Sequence, residues 1–383
     1  MAMKRRCLPD AAVRALPVLL LALGTVTPAA ASDAQAWRFG AVVDVGTTSR
    51  ATAFGSRERG LGLGPSDVTA WGPVGAALEG QATVAAHAHD GRIEVELEEL
   101  WLQTRSLPAG LTLRLGRFLA QVGYLNERHP HADDFAERPL AYRAFLGGHW
   151  FDDGVRVNWL LPTPLYWRVG VEAFRGRQLV PDAVRQPAVG SWTFSTKAGG
   201  DVGTMHSWQL GIAYVHNRLE AVHGDDHGHD DDHDHAHVHG ARFGGRHLWM
   251  FDAAWKWAPD GNAANRELRV LAEHSFVTGL GGHADGDDRH QASSIAAVWR
   301  FRPGWEVGWR TDRLRALSPH GDHFHPVHLD EHAVMVAWKP THLQTLRLQF
   351  TTQRHAKGLD DAARHSVQLQ YVFSLGAHPA HTY

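Results

Sequence analysis

Between residues 223 and 240 the chain reads HGDDHGHDDDHDHAHVHG. Seven histidines stand there: His223, His227, His229, His233, His235, His237 and His239. With 28 histidines in 383 residues, a stretch of this length would carry about one by composition alone, so the clustering needs a cause. Neutral imidazole is a borderline-soft ligand for zinc, copper or nickel, and the interleaved aspartates add oxygen donors and negative charge. A segment with so few apolar residues cannot pack a core, so 218–245 is expected to be a disordered loop offering many weak, overlapping sites. The plainer reading is a solvated acidic loop.

The same residue types recur elsewhere. HADGDDRH (283–290) carries His283 and His290 with three aspartates, and HGDHFHPVHLDEH (320–332) carries His320, His323, His325, His328 and His332. NERHPHADDF (126–135) places His129 and His131 beside Glu127, Asp133 and Asp134. Each could be a surface cluster or a turn. If they are ligands, retention of metal should collapse on mild acidification, because imidazole must be deprotonated to bind.

What positions these segments is a two-residue period. In HSVQLQYVFSL (365–375) Val367, Leu369, Tyr371, Phe373 and Leu375 alternate with Ser366, Gln368, Gln370 and Ser374. RIEVELE (92–98) sets Ile93, Val95 and Leu97 against Glu94, Glu96 and Glu98, and WRVGVEAF and WEVGWRTD repeat the rule. Strands greasy on one face and charged on the other suit a transmembrane β-barrel with lipid outside and water inside. Sixteen strands can be read, with 14 to 18 compatible, and the connections then sort by length. Short turns such as KPTH, RPG and PTP fall on the periplasmic side. The long links 47–58, 122–153, 175–189, 218–245, 278–288, 313–330 and 354–364 fall outside.

The fold class expected is therefore all-β, an antiparallel outer-membrane barrel over 32–383 with no plug domain. Lys4, Arg5 and Arg6, the apolar run 15–26 and the small residues 29–31 read as a signal peptide over 1–31, which carries the only cysteine, Cys7, and implies export through the periplasm. The near balance of 38 basic and 41 acidic residues argues against a nucleic-acid partner. No Ser/His/Asp set stands in a suggestive context, so no enzyme and no required cofactor are expected. The expected partners are outer-membrane lipid and divalent metal ions, and the residues leave open whether the barrel is a monomer or a homo-oligomer.

The long loop after the fifth strand is expected to fold into the lumen and narrow it, with Glu127, His129 and His131 at the constriction. Glu94, Glu96, Glu98, Glu172, Arg156, Arg168 and Arg310 should line the pore. This mixture of signs does not itself read out selectivity.

LPAGLTLRLGRFLAQVGYLNERHPHADDF (107–135), RPLAYRAFLG (138–147), WLLPTP (159–164) and SLGAHPAH (374–381) resemble a family of bacterial outer-membrane proteins described as zinc-regulated and sometimes labelled TonB-dependent receptors. More distantly, LRLGRF resembles the phosphate-selective porins. The resemblance implies zinc acquisition. A TonB-dependent receptor would need a plug ahead of a barrel of about 22 strands. The expected architecture is instead a passive, porin-like channel that facilitates uptake of zinc or a similar divalent metal captured by His-rich loops. The alternatives are a surface metal-binding or receptor barrel without an open pore, and a general diffusion porin.

Overall fold

The computed structural model describes residues 36–89, 91–176, 179, 189–218, 241–280, 284–320, 323–357, 359 and 364–376. The expected signal peptide and the seven histidines of 223–239 lie outside the described residues.

Alternating sequences form strands because a two-residue period puts every second side chain on the same face. Seventeen segments make one antiparallel sheet: β1 (Arg38–Thr48), β2 (Gly60–Leu63), β3 (Ser66–Val74), β4 (Leu78–His89), β5 (Arg92–Thr104), β6 (Leu111–Leu119), β7 (Phe151–Leu160), β8 (Tyr166–Phe174), β9 (Ser191–Val202), β10 (His206–Asn217), β11 (His247–Trp257), β12 (Glu267–Thr278), β13 (Arg289–Arg302), β14 (Trp305–His320), β15 (His323–Thr341), β16 (Gln344–Lys357) and β17 (His365–Gly376). β17 pairs back onto β1, from Gly40↔Gly376 to Thr48↔Gln368, and closes the barrel.

β2 and β3 are two pieces of one stave. β1 pairs with β3 as far as Val42↔Asp67 and resumes with β2 at Val45↔Leu63. The break falls at Gly64 and Pro65, and proline has no N–H to give a ladder. Seventeen segments thus make sixteen staves, the number expected.

Across the middle of the wall Val307, Trp309, Leu348, Leu369 and Tyr371 are exposed on the outer face, while Glu306, Gln349, Gln368 and Gln370 are buried within. Such a continuous apolar exterior is what a hydrocarbon solvent requires and water would penalise. The molecule is a barrel of the bacterial outer-membrane type.

Toward the long-connection end the pattern inverts. β14 and β15 run on to His320 and His323, so 313–330, expected to be an outer loop, is mostly wall. Here Leu314, Ala316, Val327 and Leu329 are buried inside, while Arg313 and His328 are exposed outside. The inward apolar residues pack against a stopper made from the chain's own residues 120–150. In it Pro130–Ala132 forms one tight turn and α1 (Leu140–Phe145) a short helix. Pro139 starts α1 with no side-chain cap, and Gly147 and Gly148, both at positive φ, stop it.

Tyr142, Phe145, Leu140, Leu146 and Trp150 are fully buried in this stopper, each contributing roughly 2 kcal/mol. Phe118, Phe174, Val215, Leu248, Met250, Leu314 and Leu329 receive them from the wall. Gly123, at φ 70°, lies so close to the Tyr142 hydroxyl and the Met250 methyl that a Cβ would collide with both. Ala241 and Phe243, expected in a disordered loop, are buried, and the Phe243 amide donates to the carbonyl of Ala144 at 3.0 Å.

Candidate functional site

The charged part of the lumen starts from an irregularity in β5. Thr83 pairs with Glu99 and Val84 with Leu97, so one extra residue is bulged out of register. A bulge shifts the alternation by one position. Leu97 is 37% exposed toward lipid, but Glu98 (3%) and Glu99 (4%) both point inward. After the bulge the phase is reversed, so Trp101 faces in and Leu100 and Leu102 face out.

The stopper delivers histidines to this pair. His129 Nδ1 lies 2.9 Å from Glu98 and its Nε2 lies 3.0 Å from Glu99. His149 Nε2 meets the other oxygen of Glu98 at 2.9 Å, and His131 Nδ1 meets Asp67 at 2.9 Å. The rings of His129 and His131 stack at 5.7 Å. Above them, at the β4–β5 turn, His87 faces Glu94 at 3.5 Å. Burial pulls the His129 imidazole toward neutrality, but its hydrogen bonds to Glu98 and Glu99 outweigh that and hold it well above its ordinary 6.5. It bridges two carboxylates, one on each ring nitrogen. A cation entering this cluster must displace protons from it.

A different set of charges faces the lower end of the stopper. Arg168 grips Glu127 with both terminal nitrogens, at 2.9 and 2.8 Å, and Lys197 adds a third bond at 2.6 Å. Burial alone would raise the Glu127 carboxyl, but Lys197 and Arg168 hold it well below its usual range.

Among the described residues, two cavities lie beside the stopper. One, of about 360 Å³, lies against β1, β4 and β5 and is lined by Asp44, His87, Glu94, Glu98, His149 and Arg143 among others. The second, of about 370 Å³, lies against β11–β15 and is lined by Arg128, Lys256, Arg269, Arg300 and Lys339 with Asp134 and Glu267. Asp133, Glu137 and Arg138 line both. They form a partition: Arg138 donates to Asp133 at 2.7 Å and to the carbonyls of Leu125, Arg128 and Gly148.

The expected pore residues divide into two groups. Glu94, Glu96 and Glu98 face the lumen, and Glu127 of the stopper pairs with Arg168 of the wall. Arg156 and Glu172 point inward as expected but are covered by the stopper, whereas Arg310, also buried, borders the second cavity. Arg156 and Glu172 pair at 2.6 Å, and Glu172 also accepts from the Gln121 amide and the Thr193 hydroxyl. Arg310 donates to Asp312, Glu331 and the Glu137 carbonyl, which fastens the stopper to the far wall. Arg143 and Glu331, Tyr142 and Glu273, and Arg347 with the Asp133 carbonyl are further fastenings.

Of the expected metal ligands, His129 and His131 come together in the lumen, each already engaged by carboxylates. His325 and His328 are exposed at the rim, with His328 on the outer face. The backbone of His320 and His323 belongs to the tall β14–β15 hairpin, and their side chains lie outside what is described. Among the described residues no three His, Cys, Asp or Glu side chains are set to hold one metal ion at once. Sequence reasoning missed Glu99, Asp67, His87 and His149. The doubled glutamate in VELEELW, which breaks strict alternation, was the available signal for the bulge.

The chain matches no described protein-family profile. It is 27% identical over 355 residues to an uncharacterised protein of Aquifex aeolicus (strain VF5), covering 86% of this chain and 71% of that one. Among solved structures it is similar to Pseudomonas putida OprB (high-pH structure), with 12% identity, TM-score 0.56, and 89% and 94% of the two chains covered. The outer-membrane channel DcaP of Acinetobacter baumannii gives 12%, 0.56, 89% and 96%. An anion-selective porin from Comamonas acidovorans gives 12%, 0.54, 89% and 99%. The shared feature is the porin-type barrel.

Proposed function

We propose that this barrel is an outer-membrane channel that facilitates uptake of a divalent transition cation, zinc foremost, captured by the histidine-rich segments. The observation that carries the reading is the stripe of His87, Glu94, Glu98 and His149 on the wall of a cavity beside the stopper, with His129 and Glu99 bonded in series behind Glu98. Carboxylates alternating with imidazoles offer a divalent cation successive partial shells, none of them a closed cage that would trap it. No part of this chemistry needs an enzyme or a resident cofactor.

A second reading, a metal-binding receptor barrel without an open pore, is favoured by the fully buried aromatic residues of the stopper. The two differ in conductance. Purified protein in planar bilayers under a salt gradient should pass current with a cation-favouring reversal potential, and zinc should depress the monovalent current. The double substitution Glu98→Gln with Glu99→Gln should lower the cation preference and relieve the zinc effect. A silent membrane favours the receptor, and a selectivity indifferent to both glutamates overturns the channel path.

A further inference from the structure

We propose that His216 and His247 form a metal clip on the outer face of the wall, specific for borderline divalent cations such as copper, nickel or zinc. The site faces away from the lumen, and neither ligand belongs to the segment 223–239.

His216 is the next-to-last residue of β10 and His247 the first of β11, and the two are direct cross-strand partners. Val215, Leu248 and Met250 are buried inside, which turns Tyr214, His216, His247 and Trp249 outward. The Nδ1 atoms of the two imidazoles face each other at 3.4 Å. A tetrahedral cation bonded at about 2.0–2.1 Å to two imidazole nitrogens separates them by about 3.3 Å. The pair therefore already has the spacing of one edge of such a site.

The neighbouring Tyr214 hydroxyl lies 2.7 Å from His247 Nδ1 and 3.5 Å from His216 Nδ1. Without metal, one Nδ1–H tautomer and the hydroxyl proton satisfy the trio. A cation takes that ring proton's place between the two nitrogens once both rings are in the Nε2–H tautomer, and the Tyr214 hydroxyl then serves a metal-bound water. The rings are held in place for this: His216 stacks on Trp192 at 5.6 Å and His247 on Tyr214 at 6.0 Å. The backbone is clamped as well, since the Asn217 amide donates to the Arg246 carbonyl at 2.8 Å and its side chain to Gly245 at 2.8 Å.

Metal preference follows from the donors and their surroundings. Two imidazole nitrogens suit copper, nickel and zinc, whereas calcium and magnesium require oxygen shells. Arg218 and Arg246 stand nearby and contribute no carboxylate, so a hard cation gains nothing here. Because the clip joins two strands directly, a bound cation also fastens the wall at the point where the chain leaves it and returns.

The test uses the full chain with His223, His227, His229, His233, His235, His237 and His239 replaced by Asn, so that this segment contributes no nitrogen ligands. Copper(II) alone is titrated and followed by electron paramagnetic resonance. The clip predicts a site whose hyperfine pattern shows two nitrogens and whose affinity falls at least tenfold in His216→Ala and equally in His247→Ala, with magnesium unable to compete. Trp309→Ala, on the lipid face, is the control for general surface change, and heat-modifiable gel migration reports that each variant folds. Copper affinity unchanged by His216→Ala in folded protein, or a spectrum with one nitrogen, overturns the proposal. Loss of conductance would not touch it, because the clip lies outside the lumen.

Discussion

The two sides of the lumen at the long-connection end are lined by opposite chemistry. From β6 to β15 the inner wall presents Phe118, Phe174, Val215, Leu248, Leu314 and Leu329, and the stopper answers with Tyr142, Phe145 and Leu146. From β16 through β1 to β5 it presents Gln353, Thr351, Gln370, Asp44, Glu94 and Glu98, and the stopper answers with His129, His131 and His149. One inserted segment thus has a dry face, which holds it, and a wet face, which leaves a path. The difference teaches that the two-residue period fixes only that the two faces of a strand differ. Which face is apolar depends on the solvent each one meets: hydrocarbon outside at mid-membrane, the stopper inside above it.

The largest effect is expected from breaking the dry face. Tyr142→Ala combined with Phe145→Ala removes two fully buried aromatic side chains, at a cost of about 3–5 kcal/mol each. The stopper should loosen while the sixteen-stave wall persists, so single-channel conductance should rise several-fold with heat-modifiable migration retained. Unchanged conductance would mean that the dry contacts do not restrict the lumen.

A paired comparison sharpens the contrast at smaller scale. Leu314→Ala, on the dry side, should cost about 2–4 kcal/mol of stability. Thr351→Ala, equally buried on the polar side, removes only a hydrogen bond from Gln349 at 3.0 Å and should cost about 1 kcal/mol. Urea unfolding in lipid, followed by tryptophan fluorescence, measures both. Equal losses would show that the two sides do not differ in kind.

The smallest effect concerns pH. Glu127 has a folded carboxyl value held below its ordinary 4.5 by Lys197 and Arg168. Its stabilising contribution is therefore fully present above that ordinary value and is lost only as pH falls through the lower folded one. Conductance recorded from neutral pH down to about pH 5 should show no step that Glu127→Gln abolishes. Such a step would place the group's titration far higher than its partners imply.

Much of this architecture was legible in the sequence. Alternation in 365–375 and 305–312 gave the faces correctly, and sorting the connections by length recovered all sixteen staves; the infolding of the loop that bears His129 followed only by analogy with the same loop of sixteen-stranded porins. The β5 bulge was hidden because alternation counts residues, whereas a bulge adds one to a single strand, and only the partner's register (Val84↔Leu97, Thr83↔Glu99) reveals it. The upper parts of β14 and β15 were read as loop because their apolar positions face inward, against the rule that served the membrane band. The burial of Arg310 was not legible either. Its partners, Glu331 and the Glu137 carbonyl, lie 21 and 173 residues away, and only closure of the barrel brings them together.

Thiol labelling of two inward positions tests the division most directly. In a Cys7→Ser background, His87→Cys places a thiol in the cavity on the wet side and Leu314→Cys places one in the dry side, both at the same end of the barrel. A membrane-impermeant maleimide added to folded protein should modify the cysteine at 87 quickly and leave the one at 314 protected until the protein unfolds. Comparable rates at the two positions would contradict the account.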